Sequence, residues 1–245
     1  MDKQRLLNTY VNNVNMEETV EAIESMIADG GKNYVVAINV DVVMKIESDL
    51  YLKKIIDEAD MVLVDGKPLM WIANYHKRPI KAKISGSDLV PLLCEVVAQK
   101  GYSVFIIGGK DGIAEQAKHK LEKKLPKINI VGTYAPHFGF EKNEAELQKI
   151  NEIISASKPD LLIVCFGCPK QEKWIYENYQ KYDAKVSICA GATVDFLAGN
   201  VKRAPEWMSE SGLEWFYRFL QEPKRMFKRY FIDDIRIFKL IRKYR

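Results

Sequence analysis

A chain of 245 residues has room for one large domain with a buried core, or a core carrying a smaller appendage, and its 47% hydrophobic and 29% charged residues exclude a disordered or low-complexity protein. The net charge of +4 is unevenly held. Residues 201–245 carry 12 Lys and Arg against 6 Asp and Glu, which leaves residues 1–200 slightly acidic at 25 against 27.

In chain order, the amino-terminal stretch "MDKQRLLNTYVNNVN" has charges and amides where a secretion signal needs an apolar run, so the expected location is the cytoplasm. Four cysteines fit that compartment. Short apolar runs follow at 34–40, 61–66, 102–109, 129–134, 160–167 and 185–192, each of a length and composition that predicts a buried strand. Between them, "DGIAEQAKHKLEKKL" and "EAELQKINEIISAS" have helical spacing with charged outer faces. The alternation predicts an α/β fold: a Rossmann-like, largely parallel sheet flanked by helices, over residues 1–200, with a helical appendage at 201–245.

Open α/β sheets bind ligands at the carboxyl ends of their strands, and here those ends carry residues that a core does not require. Asn39 and Asp41 follow the first strand, Asp65 and Gly66 the second, and Gly108 and Gly109 the third. "GCPKQEKW" follows the fifth strand and "GATVDFLAG" the sixth. Asp65, at the lip of "VLVDGKPL", is the candidate general base, with a helix-capping aspartate as the plainer reading. "FIIGGKDG" can present backbone N–H groups and a helix N-terminus to a diphosphate, although it matches neither the dinucleotide fingerprint nor a P-loop. Lys170 and Gln171 are candidates for phosphate and sugar contacts. Lys83 precedes "SGSD", where Ser87 or Asp88 reads as a helix cap. The three histidines lack metal-ligand spacing, and Cys165 with Cys168 has no second pair to complete a zinc site.

The last 45 residues also hold 10 of the 26 aromatic residues. On a single-helix projection, Phe227, Tyr230, Phe231, Asp234, Ile235, Phe238 and Ile241 share one side, and Lys224, Arg225, Lys228, Arg229, Arg236, Lys239 and Lys243 lie mainly on the other. Such a face suits an anionic membrane surface, nucleic acid, or simple packing on the core.

"VDGKPLMW", "ISGSDLV", "FIIGGKDGIAE", "FGCPKQEKWI", "GATVDFLAGNVKRAPEWM" and "GLEWFYRFLQEPKRMFKRY", in this order, resemble the TagA/WecG/CpsF family of bacterial glycosyltransferases over residues 34–232. The resemblance implies inverting transfer of N-acetylmannosamine from UDP-N-acetylmannosamine to undecaprenyl-diphosphate N-acetylglucosamine in a β-1,4 linkage, an early step of wall teichoic acid synthesis. It implies no metal and no cofactor. Other UDP-sugars, carrying mannosaminuronate, glucose or galactose, are the alternatives. By resemblance Asp65 is the base, Asn39, Lys83, Gly108, Gly109, Gln171 and Asp195 bind substrate, and Arg218, Arg225, Lys228 and Arg229 serve the lipid diphosphate and membrane. The tail then docks a peripheral enzyme on the inner face of the membrane rather than on nucleic acid, and self-association in solution is expected. The family commonly has threonine at the position of Ala37 and arginine at that of Lys83, so this chain loses a hydroxyl at one position and bidentate geometry at the other.

Overall fold

The computed structural model describes residues 2–245, without the side chains of Glu206, Glu210 and Arg225. The chain opens with a hairpin, β1 (Lys3–Leu6) and β2 (Thr9–Asn12), and then alternates helices and strands: α1 (Met16–Asp29), β3 (Asn33–Ile38), α2 (Val40–Ile46), α3 (Leu50–Asp57), β4 (Met61–Val64), α4 (Lys67–Tyr75), α5 (Gly86–Lys100), β5 (Ser103–Gly108), α6 (Ile113–Lys124), β6 (Asn129–Tyr134), α7 (Glu144–Ser157), β7 (Leu161–Cys165), α8 (Lys170–Asn178), β8 (Val186–Cys189) and α9 (Thr193–Leu197). All six expected strands form. They build one parallel sheet in the order β4-β3-β8-β7-β5-β6.

Because a parallel sheet is covered on both faces, alternate residues of each strand feed two apolar layers. Val36, Ile38, Val64, Phe105 and Val164 enter one layer with α2, α3, α4 and α8, through residues such as Ile46, Ile55, Leu69 and Trp174. Val35, Leu63, Ile106, Ile163 and Ile188 enter the other with α1, α5, α6 and α9, through residues such as Ile23, Leu93, Ala117 and Val194. Each large aliphatic side chain buried in this way contributes about 1.5–3 kcal/mol. The arrangement also positions the site. β3 and β8 are neighbours, yet the helix after β3 (α2) goes to the first layer and the helix after β8 (α9) to the second, which opens a crevice between their ends.

The β1–β2 hairpin, unforeseen in the sequence, covers the outer side of β4. Asn12 Oδ1 accepts the Val62 N–H at 2.8 Å, and the Thr9 hydroxyl donates to Asp57 at 2.8 Å. A backbone donor on the sheet edge, which would otherwise be left for another chain, is thereby satisfied.

The carboxy-terminal segment is helical but broken: α10 (Glu206–Glu210), α11 (Glu214–Gln221), α12 (Pro223–Phe227), a π-helical turn over Lys228–Asp233, a 3-10 turn over Asp234–Arg236, and α13 (Ile237–Lys243). Met226, Ile237 and Leu240 are buried, the last two within the first apolar layer. Its end is clamped to the core by Lys243 to Glu47 at 2.7 Å and by the Tyr244 hydroxyl, which donates to Glu47 at 3.0 Å. The π-helical and 3-10 turns shift the side-chain register, so the aromatic stripe expected from one continuous helix divides. Phe227, Phe231, Ile232, Ile235 and Phe238 face outward, whereas Ile241 and Tyr244 pack on the core and Asp234 is buried.

Candidate active site

Asp65 follows β4 directly, and its backbone N–H is held by Ile38 O at 2.7 Å. The next residue, Gly66, has φ 109°, a left-handed value that glycine adopts without strain, and it begins α4 with no side-chain cap. The carboxylate of Asp65 is therefore not a helix cap, which removes the plainer reading of its sequence position. Beside it, Asn39 caps α2 by accepting the Val42 N–H through Oδ1 at 3.2 Å. That leaves its NH₂ group as a donor beside Asp65, where it favours the charged carboxylate. Burial drives the Asp65 pKa above the ordinary carboxylate value and Glu214 adds to the rise, while the charges of Arg218 and Lys83 and the Asn39 hydrogen bond oppose it.

These residues border a cavity of about 430 Å³ in the β3–β8 crevice. Ala37, Asn39 and Asp65 contribute from the β3 and β4 ends, Gln171 from α8, Thr193 and Phe196 from α9, and Arg218, Met226 and Arg229 from the carboxy-terminal segment. Arg218 lies over the Phe196 ring at 5.5 Å, which joins the segment to the rim of the sheet. Arg229 sits 3.9 Å from Asp41 and 3.7 Å from Asp234, and its Nε–H is buried without an acceptor.

Gln171 is only 5% exposed and uses its amide to fasten the floor. Its Oε1 accepts the N–H groups of Gly167 at 3.2 Å and Gly191 at 3.0 Å, tying the loop after β7 to the loop after β8. Its Nε2 donates to Glu172 at 2.9 Å. Glu172, at 1% exposure, was not singled out in the sequence, and neither was Lys45. Burial raises the Glu172 pKa, and one of its oxygens has no partner. Lys45 pairs with Asp41 at 2.7 Å and donates to Cys168 O at 3.2 Å, so it closes the same wall. The Asp41 to Lys45 spacing on a helix that starts at Asn39 was the available signal for that pair.

The remaining candidates lie elsewhere. Lys83 stands behind Asp65, paired with Asp88 at 2.9 Å and Glu214 at 3.4 Å. Gly108 and Gly109 do not line the cavity; a Cβ at Gly108 would come within 2.4 Å of Cys165 O, so close packing against β7 accounts for that glycine. Asp195, on α9, is likewise outside the lining. Lys170 turns to Glu141 at 3.0 Å, Lys228 is exposed, and the side chain of Arg225 lies outside the described residues. The cap of α5 is Ser85, which accepts the Asp88 N–H, rather than Ser87 or Asp88. The four cysteines are unbridged, and burial pushes the Cys165 thiol up to about 12. Among the described residues no three His, Cys, Asp or Glu side chains gather as a metal-holding group, and no helix is long and apolar enough to cross a membrane.

A parallel α/β sheet with a half-buried carboxylate and two arginines around a strand-end crevice defines a Rossmann-like protein with its cavity where such folds place their ligands. The chain belongs to the glycosyl transferase WecG/TagA/CpsF family, whose profile matches residues 4–245, and it is a glycosyltransferase. Among curated proteins it is similar to N-acetylglucosaminyldiphosphoundecaprenol N-acetyl-beta-D-mannosaminyltransferases of Staphylococcus aureus strains MRSA252, MW2 and NCTC 8325. Identity to each is 27% over 226 residues, covering 91% of this chain and 87% of the relative.

Proposed function

We propose that the protein transfers N-acetylmannosamine from UDP-N-acetylmannosamine to N-acetylglucosamine carried on undecaprenyl diphosphate, with inversion to a β-1,4 linkage, as a step in wall teichoic acid synthesis. The observation that carries the reading is Asp65: a half-buried carboxylate at a strand end, free of any capping role, facing the cavity with its pKa raised and with Arg218 and Lys83 close enough to shift it.

Inversion in one displacement needs a base to take the proton of the acceptor 4-hydroxyl as its oxygen attacks the anomeric carbon and the bond to UDP breaks. Asp65 takes that role, and its raised pKa brings it nearer the working pH. The departing diphosphate gathers negative charge, which fixed cations in a dry cavity offset strongly. Arg218 and Arg229 line the cavity, and Asp41 and Asp234 hold Arg229 at its edge. Asn39 holds Asp65 in place, and Gln171 fixes the loops on which the donor rests.

The test is UDP release by the full-length protein, given UDP-N-acetylmannosamine and the lipid-diphosphate acceptor, beside Asp65→Asn. Turnover should fall by about 10³-fold or more while UDP still binds. Undiminished turnover by the variant removes Asp65 as the base. A second reading rests on Ala37, which lines the cavity without a hydrogen-bonding side chain: the donor is a different UDP-hexose. Competition among UDP-sugars for UDP release separates the two.

A further inference from the structure

A second cavity, of about 620 Å³, lies on the other side of the Asp65 loop. Lys67, Lys81, Lys83 and Arg203 line it together with Met70, Ala82 and Ser209, and Asp88 is the one acidic side chain among the described lining residues. Three of the cations are engaged: Lys81 with Glu18 at 2.6 Å, Lys83 with Asp88 and Glu214, and Arg203 with Asp88. Lys67 has no ion-pair partner among the described residues. The cavity is therefore positive and holds one uncompensated ammonium.

Two of the helices that line it, α4 and α10, also expose a large apolar side chain. Trp71 and Trp207, each adjacent in sequence to this region, are 55% and 62% exposed. The α10–α11 turn closes over it, with Gly212 so near Trp71 and Lys67 that an added Cβ would stand 3.0 Å from the Trp71 ring and 3.2 Å from Lys67 Cβ. A charged pocket whose lining helices α4 and α10 also carry exposed indoles matches a ligand with an anionic head and an apolar tail, since indole prefers the boundary between water and hydrocarbon.

The two cavities meet at the base. Asp65 lines the first and Lys67, two residues on, lines the second, while Lys83 lines the second and acts electrostatically on Asp65. An in-line displacement brings the nucleophile to the face of the sugar opposite the leaving group. The attacking hydroxyl and the departing diphosphate thus require separate compartments on opposite faces of the sugar, with the base beside the hydroxyl.

We infer that this second cavity is the acceptor subsite, where Lys67 and Arg203 hold the diphosphate of an isoprenoid-linked sugar while its chain leaves past Trp71 and Trp207. The inference rests on the proposed transfer reaction. The first cavity is left to the nucleotide donor.

The experiment measures equilibrium binding of two probes, UDP and farnesyl-diphosphate N-acetylglucosamine, to full-length wild type, Lys67→Ala with Arg203→Ala, and Lys67→Arg, with steady-state KM for donor and acceptor alongside. Loss of two charge-assisted contacts should weaken acceptor binding by about tenfold or more, leave UDP binding within about twofold, and be largely restored in Lys67→Arg. Retained UDP binding also shows that the double variant is folded. Unchanged acceptor affinity, or a loss confined to UDP, overturns the assignment. If the wild type binds the acceptor probe but not UDP, the donor reading fails and the subsite stands. If it binds neither, both fall.

Discussion

Asp65 draws its proton affinity from neighbours on several elements, and this makes its titration a sensitive report on the site. Burial and the Glu214 carboxylate raise its pKa, while Arg218, Lys83 and Asn39 pull it down. A base works only when ionised, so kcat/KM should fall as pH drops through the raised value, with the acid limb lying above the ordinary range for aspartate. Glu214→Gln removes one raising charge and frees Lys83 from one of its two acidic partners, so both effects lower the Asp65 pKa. The acid limb of that variant should move to lower pH in a kcat/KM profile; a limb that moves upward or stays fixed removes Asp65 as the group that sets it. The role of Gln171 is of a different kind. Its amide is occupied by Gly167, Gly191 and Glu172, so it shapes the cavity through the two loops that it joins.

At the scale of elements, the parallel sheet was legible because its strands are continuous apolar runs broken by glycine, and "YSVFIIGG" and "DLLIVCFG" admit little else. The strand ends were legible for the same reason, and Asp65 and Asn39 came with them. The β1–β2 hairpin was not. Its turn places Leu7 at φ 53°, where the usual signal is Asn-Gly, and its four-residue strands bury only Leu6 and Val11 as apolar side chains, too few for a periodic signal. The glycine turn after β5 carries a packing constraint that its sequence did not reveal: Gly108 lies close against β7. Gly108→Ala should destabilise the fold by about 2 kcal/mol or more, from both the 2.4 Å approach to Cys165 O and the φ of 116°, as read by urea denaturation. A variant as stable as the wild type would show that β7 can give way. The tail defeated a single-helix projection because its π-helical and 3-10 turns reset the phase, an effect of tertiary docking at Ile237 and Leu240 that local periodicity does not contain.

For the whole molecule, the outward face of the carboxy-terminal segment bears on where the enzyme works. Phe227, Phe231, Ile232, Ile235 and Phe238 are exposed, the last at 70%, among the basic residues Lys224, Lys228, Arg236 and Lys239. Such a surface favours an anionic bilayer, which takes up rings and attracts cations at about 1 kcal/mol per basic residue near the surface. Replacing Phe227, Phe231 and Phe238 together by Ser should weaken binding to phosphatidylglycerol vesicles by at least about tenfold without lowering the melting temperature, because these rings contribute little to the core. Equal vesicle binding by the variant would leave the tail without its docking role. Met226, Arg229 and Asp233 border the reaction cavity from the same stretch of chain whose Phe227, Phe231 and Ile232 point away from it. Wall and keel are thus one piece: lifting the outer rings by the ~1.5 Å rise of a single helical residue would carry the inner arginine along by a similar amount. If the segment docks as proposed, turnover should follow the lateral packing of the surrounding lipid.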